Sequence, residues 1–64
     1  MTKRELKKIM QEALIMQYGF APPQSKIKLL EASDSGQYIL AEIGGYEYSW
    51  DSHTMEKRAA KVWL

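Results

Sequence analysis

The sequence contains no cysteine and a single histidine, His53, among its 64 residues. Without cysteine it has no disulfide framework and no thiolate metal site, and one histidine does not supply the three or four converging ligands that zinc needs. Asp51 and Ser52 precede His53, but a catalytic triad is assembled by tertiary geometry and not from adjacent residues. The glycines match no phosphate-binding loop. We therefore expect no enzyme activity, no metal and no cofactor.

Apolar stretches in the chain are short, and none approaches the roughly 18 residues of a membrane span. The basic start of the chain runs into Gln11 and Glu12, so we expect no signal peptide and no membrane association. The absence of cysteine suits a reducing compartment, and we expect a cytoplasmic protein. A chain of this length forms one domain, 1–64, whose core supplies only about 3–5 kcal/mol of net stability.

Two amphipathic segments enclose a region of alternating residues. Thr2 and Glu5 form a capping-box pattern that opens a helical apolar period, and Gly19 followed by two prolines ends it. The sequence then alternates in three stretches that are typical of strands. A second apolar stripe, led by Met55 and Ala59, predicts a closing helix. The expected elements are a helix at about 2–18, strands at about 26–32, 37–43 and 46–50, and a helix at about 52–63.

The predicted fold class is therefore α+β, in the order α-β-β-β-α. A three-stranded antiparallel meander would carry both helices on one face, since a sheet with one apolar face must be covered. Gly44 and Gly45 are expected to form a two-residue turn in which both residues have positive φ.

The predicted hairpin register decides where the aromatic side chains lie. It pairs Ile43 with Tyr46, Ala41 with Tyr48 and Ile39 with Trp50, and it places all of them on the face that the helices cover. Because so short a chain has little apolar surface to spare, we expect Tyr46, Tyr48 and Trp50 to lie in the core. The opposite face would carry Tyr38, Leu40, Glu42 and Glu47, and Glu42 and Glu47 would be directly opposed.

The stretches QYGFAPPQSKIKLLEASDSG, YILAEIGG and MEKRAAKVWL resemble, in this order, parts of the double-stranded RNA-binding domain. The first stretch is similar to the end of that domain's first helix, the loop after it, the first strand and the turn. The second is similar to its second strand and hairpin, and the third to its alanine-rich closing helix. The resemblance implies three RNA contacts, which are the first helix, the first hairpin loop and the start of the closing helix. On this sequence the first helix would offer Gln11 or Glu12, and after them Lys8. The loop would offer Ser33, Asp34 and Ser35, and the closing helix His53, Lys57 and Arg58.

Three binding functions remain open, and the compact length, the absence of a catalytic set and the near-neutral net charge of +1 favour protein binding. We expect a small adaptor or inhibitor of the kind that phages and mobile elements encode, which contacts a protein partner through Tyr38, Leu40, Glu42 and Glu47. The alternative is a module that binds double-stranded RNA or DNA along basic helix edges. Its expected contacts are Lys7, Lys8, Lys57, Arg58 and Lys61. A homodimer built on a strand edge, or on Trp63 and Leu64, is the third.

Overall fold

A computed structural model of the chain describes residues 1–59, which form one helix and a four-stranded antiparallel sheet. The elements are α1 (Lys3–Tyr18), a short 3-10 helix (Gln24–Lys26), β1 (Lys28–Ala32), β2 (Tyr38–Ile43), β3 (Tyr46–Asp51) and β4 (Thr54–Ala59). The strands lie in chain order, β1-β2-β3-β4, so every connection is a hairpin. The α+β class is confirmed. The expected three strands and two helices are not what the described residues form.

The helix begins and ends where the capping signals predict. The Thr2 N–H donates to Glu5 Oε1 at 3.0 Å, and the Glu5 N–H donates to Thr2 Oγ1 at 3.2 Å, which completes the capping box. These bonds to the Thr2 backbone and side chain lower the pKa of the Glu5 carboxyl. Gly19 ends the helix in the left-handed conformation. No helix among residues 1–59 combines the length and apolar content that a membrane crossing requires.

The predicted hairpin of β2 and β3 is confirmed in register. Ile43 pairs with Tyr46, and Ile39 pairs with Trp50, around a turn in which both glycines have positive φ. The inner face of the sheet, defined as the face that α1 covers, therefore carries the alternate residues Ile39, Ala41, Ile43 and Tyr48. They pack with Leu6, Met10 and Leu14 of α1, and with Ile27 just before β1, into one apolar core.

The predicted closing helix over 52–63 is wrong where the structure describes the chain. Residues Thr54–Ala59 form β4, which pairs with β3 in antiparallel register from Asp51↔Thr54 to Tyr46↔Ala59. Ser52 and His53 make a two-residue turn, and Ser52 has a φ of 50°. Pairing with β3 adds a ladder of backbone hydrogen bonds, whereas a helix of this length is marginal alone. The remainder of the predicted helix, 60–63, lies outside the described residues.

Aromatic burial differs along β3, although all three rings lie on the inner face as predicted. Tyr48 is buried at 3% exposure, and Trp50 is half-buried against the core together with Met55. Tyr46 is 44% exposed, so the expectation that it lies in the core is wrong. It stands at the end of β3 next to the glycine turn, although its cross-strand partner Ile43 is buried in the core.

Gly36 lies in the turn between β1 and β2, and side chains from the start of the chain pack against it. A substitution at Gly36 therefore tests how tightly they pack. Gly36 is buried with a φ of +76°, and an added Cβ would lie 2.7 Å from Met1 Sδ and 2.9 Å from Ile9 Cδ1. We expect Gly36→Ala to lower the free energy of unfolding by about 2 kcal/mol, from the left-handed φ and the displaced side chains.

The matched control is Gly19→Ala, because Gly19 has nearly the same φ, +78°, and open space around its Cα. It should cost only the conformational penalty of about 1 kcal/mol. Urea denaturation of both variants measures the difference. Equal losses would show that Met1 and Ile9 do not pack against this turn.

Candidate functional site: the outer face of the sheet

The outer face of the sheet, opposite to α1, is not covered by any element among residues 1–59. It consists of alternate residues from β2, β3 and β4 together with the exposed side of β1. The four residues predicted for protein binding come together on it. Tyr38, Leu40 and Glu42 follow one another along β2, and Glu47 stands opposite Glu42 on β3. All four are half-buried, since their neighbours in the sheet flank them.

A row of charged side chains crosses the outer face at the end nearest the glycine turn. The register sets Lys28 beside Glu42, Glu42 beside Glu47, and Glu47 beside Arg58. Arg58 donates from Nε and Nη2 to the same Glu47 Oε1, at 3.3 and 3.2 Å. This contact is the one ion pair within residues 1–59, and the Arg58 side chain remains 73% exposed. At such exposure the pair contributes at most about 1 kcal/mol.

The outer face is acidic and has an apolar centre. Its carboxylates outnumber its bases by five to two, the carboxylates being Glu31, Glu42, Glu47, Asp51 and Glu56, and the bases being Lys28 and Arg58. A shallow concavity of about 210 Å³ lies between them, and its walls include Tyr38, Leu40, Glu47, Ser49, Glu56 and Arg58. Leu30, at the bulge in β1, adds a side chain that is 43% exposed.

The residues predicted for nucleic-acid binding are divided between the two sides of the molecule. Lys7 and Lys8 lie on α1, Lys7 half-buried and Lys8 exposed. Lys57 and Arg58 are adjacent on β4, so they project from opposite faces of the sheet, and Arg58 is bound to Glu47. Lys61 lies outside the described residues. These cations do not form one continuous stripe within residues 1–59.

The RNA contacts that the resemblance implies also fall in separate places. Gln11 is half-buried and donates from Nε2 to the Pro22 carbonyl at 2.8 Å. Ser33 Oγ accepts the Tyr38 N–H at 3.0 Å, within the turn between β1 and β2. His53 lies at the turn between β3 and β4, and Lys57 and Arg58 lie on β4 where the resemblance implies a helix.

The sequence pattern did not predict the contribution of β4 to the outer face, namely Thr54, Glu56 and Arg58. The local sequence carries no strand signal, because the charged run of Glu56, Lys57 and Arg58 interrupts any apolar/polar alternation. Within residues 1–59, no three His, Cys, Asp or Glu side chains are grouped as metal ligands. The chain matches no family model, no curated protein and no solved structure.

Proposed function

We propose that the protein is a small non-catalytic binding protein that acts through a protein partner, as an adaptor or inhibitor of the phage or mobile-element type. The observation that carries this proposal is the outer face, which no element among residues 1–59 covers and on which Tyr38 and Leu40 lie among charged side chains. Protein interfaces combine an apolar, aromatic centre with a polar rim in this way. The excess of carboxylates on this face selects a partner with a basic surface.

The proposal is tested by removing the apolar centre and leaving the charges in place. We expect Tyr38→Ala/Leu40→Ala to weaken partner binding by about thirtyfold or more, as loss of an interface hot spot does. The matched control is Met16→Ala, which removes a 79% exposed apolar side chain on the side of α1 that faces away from the core. Affinity-tagged full-length chain is used to capture partners from a nuclease-treated lysate. Each captured protein is then purified and titrated against the wild type and both variants by calorimetry.

Two outcomes would contradict the outer face as the binding surface. One is that every purified partner binds the Tyr38→Ala/Leu40→Ala variant as tightly as the wild type. The other is that the Met16→Ala control weakens each partner as much as the outer-face variant does.

The alternative function is binding of double-stranded RNA or DNA, and one observation favours keeping it. On the side of the molecule that carries α1, and within residues 1–59, α1, the 3-10 helix and the inner face of β4 carry six bases against two carboxylates. The bases are Lys3, Arg4, Lys7, Lys8, Lys26 and Lys57, and the carboxylates are Glu5 and Glu12. A gel-shift titration of RNA and DNA duplexes at about 50 mM salt separates the two functions, since phosphate contacts are strongest at low salt. A shift at micromolar protein would favour the alternative.

A further inference from the structure

Aromatic side chains from α1, the loop after it and β3 meet at one end of the molecule, and we name this cluster the aromatic corner. It consists of Tyr18, Phe20, Tyr46 and Tyr48, together with Lys57 of β4. The ring of buried Tyr48 lies 5.8 Å from that of Tyr18 and 6.4 Å from that of Phe20, centroid to centroid, in edge-to-face arrangements. Tyr18, Phe20 and Tyr46 remain 41–44% exposed. The corner thus has a buried base and an open aromatic surface.

Lys57 supplies the only cation at the aromatic corner within residues 1–59. Its Nζ lies 4.3 Å from the centroid of the Tyr46 ring, and 5.7 and 5.9 Å from those of Tyr48 and Tyr18. It has no carboxylate partner among those residues. A cation–π contact directs an ammonium to the ring faces and leaves its other N–H groups open to solvent or to a further acceptor. Lys57 is therefore placed to bind a carboxylate beside an aromatic surface.

The apolar surface continues from the corner onto the last turns of α1. Ile15 lies three residues before Tyr18, so the two are neighbours on the helix surface. Ile15 is 52% exposed. A single exposed apolar residue is ordinary, but a contiguous patch on a small chain marks an interaction surface. Tyrosine and phenylalanine are also residues that interface centres favour.

We propose that the aromatic corner is a second docking surface, and that its partner is an acidic protein segment that carries exposed apolar side chains. Charge complementarity decides the partner, because Lys57 lies at the centre of the corner without a carboxylate partner among residues 1–59. The inference extends the proposed function from one partner to two of opposite charge, one on each side of the sheet. It does not depend on what binds the outer face.

A protein segment fits the corner better than a nucleic acid does. Nucleic-acid affinity rests on several phosphate contacts made together. Lys8 precedes Tyr18 by ten residues, which is about 15 Å along the helix axis, and Lys7 is one residue further away. Within residues 1–59 the corner therefore offers one cation, Lys57, beside three exposed aromatic rings.

The test is an NMR titration of the ¹⁵N-labelled full chain with three probes. The first is a synthetic amphipathic peptide of about twelve residues built from Glu, Leu and Trp. The second replaces every Glu by Lys, and the third is an oligothymidylate of similar length. We expect the acidic peptide to shift the amide signals of Tyr18, Phe20, Tyr46 and Lys57, and the basic peptide to leave them in place.

Variants assign the binding to the corner. Tyr46→Ala should weaken the acidic peptide by about tenfold, and Lys57→Gln by about threefold at low salt. Tyr38→Ala/Leu40→Ala, on the other face, should leave the affinity for the acidic peptide unchanged. The proposal for the aromatic corner and the proposal for the outer face can therefore fail independently. The inference is overturned if the acidic peptide causes no shift at about 1 mM, a concentration that detects even weak complexes. Equal binding of the basic peptide, or tighter binding of the oligothymidylate at the corner, would also overturn it.

Discussion

Replacing Tyr48 with alanine should unfold most of the protein, whereas the same replacement at Tyr46 should be tolerated. The two residues lie on the same strand and the same face, two positions apart, but Tyr48 is 3% exposed and Tyr46 is 44% exposed. Tyr48 packs into the core beneath Tyr18 and Phe20. Truncating a buried aromatic residue costs about 3–5 kcal/mol, which equals the whole net stability of a chain this small.

Urea denaturation monitored by circular dichroism measures both variants against the wild type. Tyr46→Ala should lose about 1 kcal/mol, from its cation–π contact with Lys57 and its partial burial. A folded Tyr48→Ala variant with near-native stability would show that α1 does not cover the centre of β3. Equal, large losses of unfolding free energy from both variants would show that Tyr46 is buried like Tyr48 and that the aromatic corner is not exposed.

A proline substitution in β4 should lower the stability by an amount that depends on whether the backbone N–H of that residue points towards β3 or away from it. Asp51 and Thr54 flank a two-residue turn, so they form a hydrogen-bonded pair, and Ser49–Glu56 is the next such pair along the ladder. The Glu56 N–H therefore points to β3, and the Lys57 N–H points away from it. Glu56→Pro should cost about 3 kcal/mol, because it removes a ladder bond and forces the strands apart, while Lys57→Pro should cost about 1 kcal/mol.

Thermal unfolding of the two proline variants tests the assignment of β4, and Lys57→Ala controls for loss of the ammonium group. A helix over the same residues would place both prolines in its interior, and both would then cost about 3 kcal/mol or more. Similar, large losses from the two variants would therefore contradict β4 and restore the helix.

The elements that the sequence predicted well are those with local signals. Thr2, Glu5 and Gly19 determine both ends of α1 through capping chemistry that involves only nearby residues. The Gly44-Gly45 turn determines the register of β2 and β3, because a two-residue loop leaves one pairing. The same register places Tyr38, Leu40, Glu42 and Glu47 on one face, so residue alternation around the turn was enough to group these four residues.

Residues 54–59 could not be assigned locally because their composition contradicts their structure. Met55, Glu56, Lys57, Arg58 and Ala59 are all good helix formers, and the Met55–Ala59 spacing fits a helical stripe. Their strand depends on distant residues, through the pairing of Met55 with Trp50 and of Arg58 with Glu47, and through the contact of Lys57 with Tyr46. Tertiary pairing outweighs helix propensity here.

Because β4 was not predicted from the sequence, two features of the binding surfaces were not predicted either. The ion pair that flanks the outer face requires Arg58 on the strand next to Glu47, and the aromatic corner requires Lys57 on the opposite side of that strand. The exposure of Tyr46 was missed for another reason. Residue alternation tells which face a side chain occupies but not whether other residues cover that side chain.

The most direct test of β4, which determines both binding surfaces, is a NOESY spectrum of the full chain. We expect strong Hα–Hα cross-peaks between Tyr48 and Lys57 and between Trp50 and Met55, which are non-hydrogen-bonded pairs whose Cα atoms lie about 4.5 Å apart. Absence of these cross-peaks, with Hα(i)–Hβ(i+3) contacts over residues 52–59 instead, would show a helix there and contradict both binding surfaces.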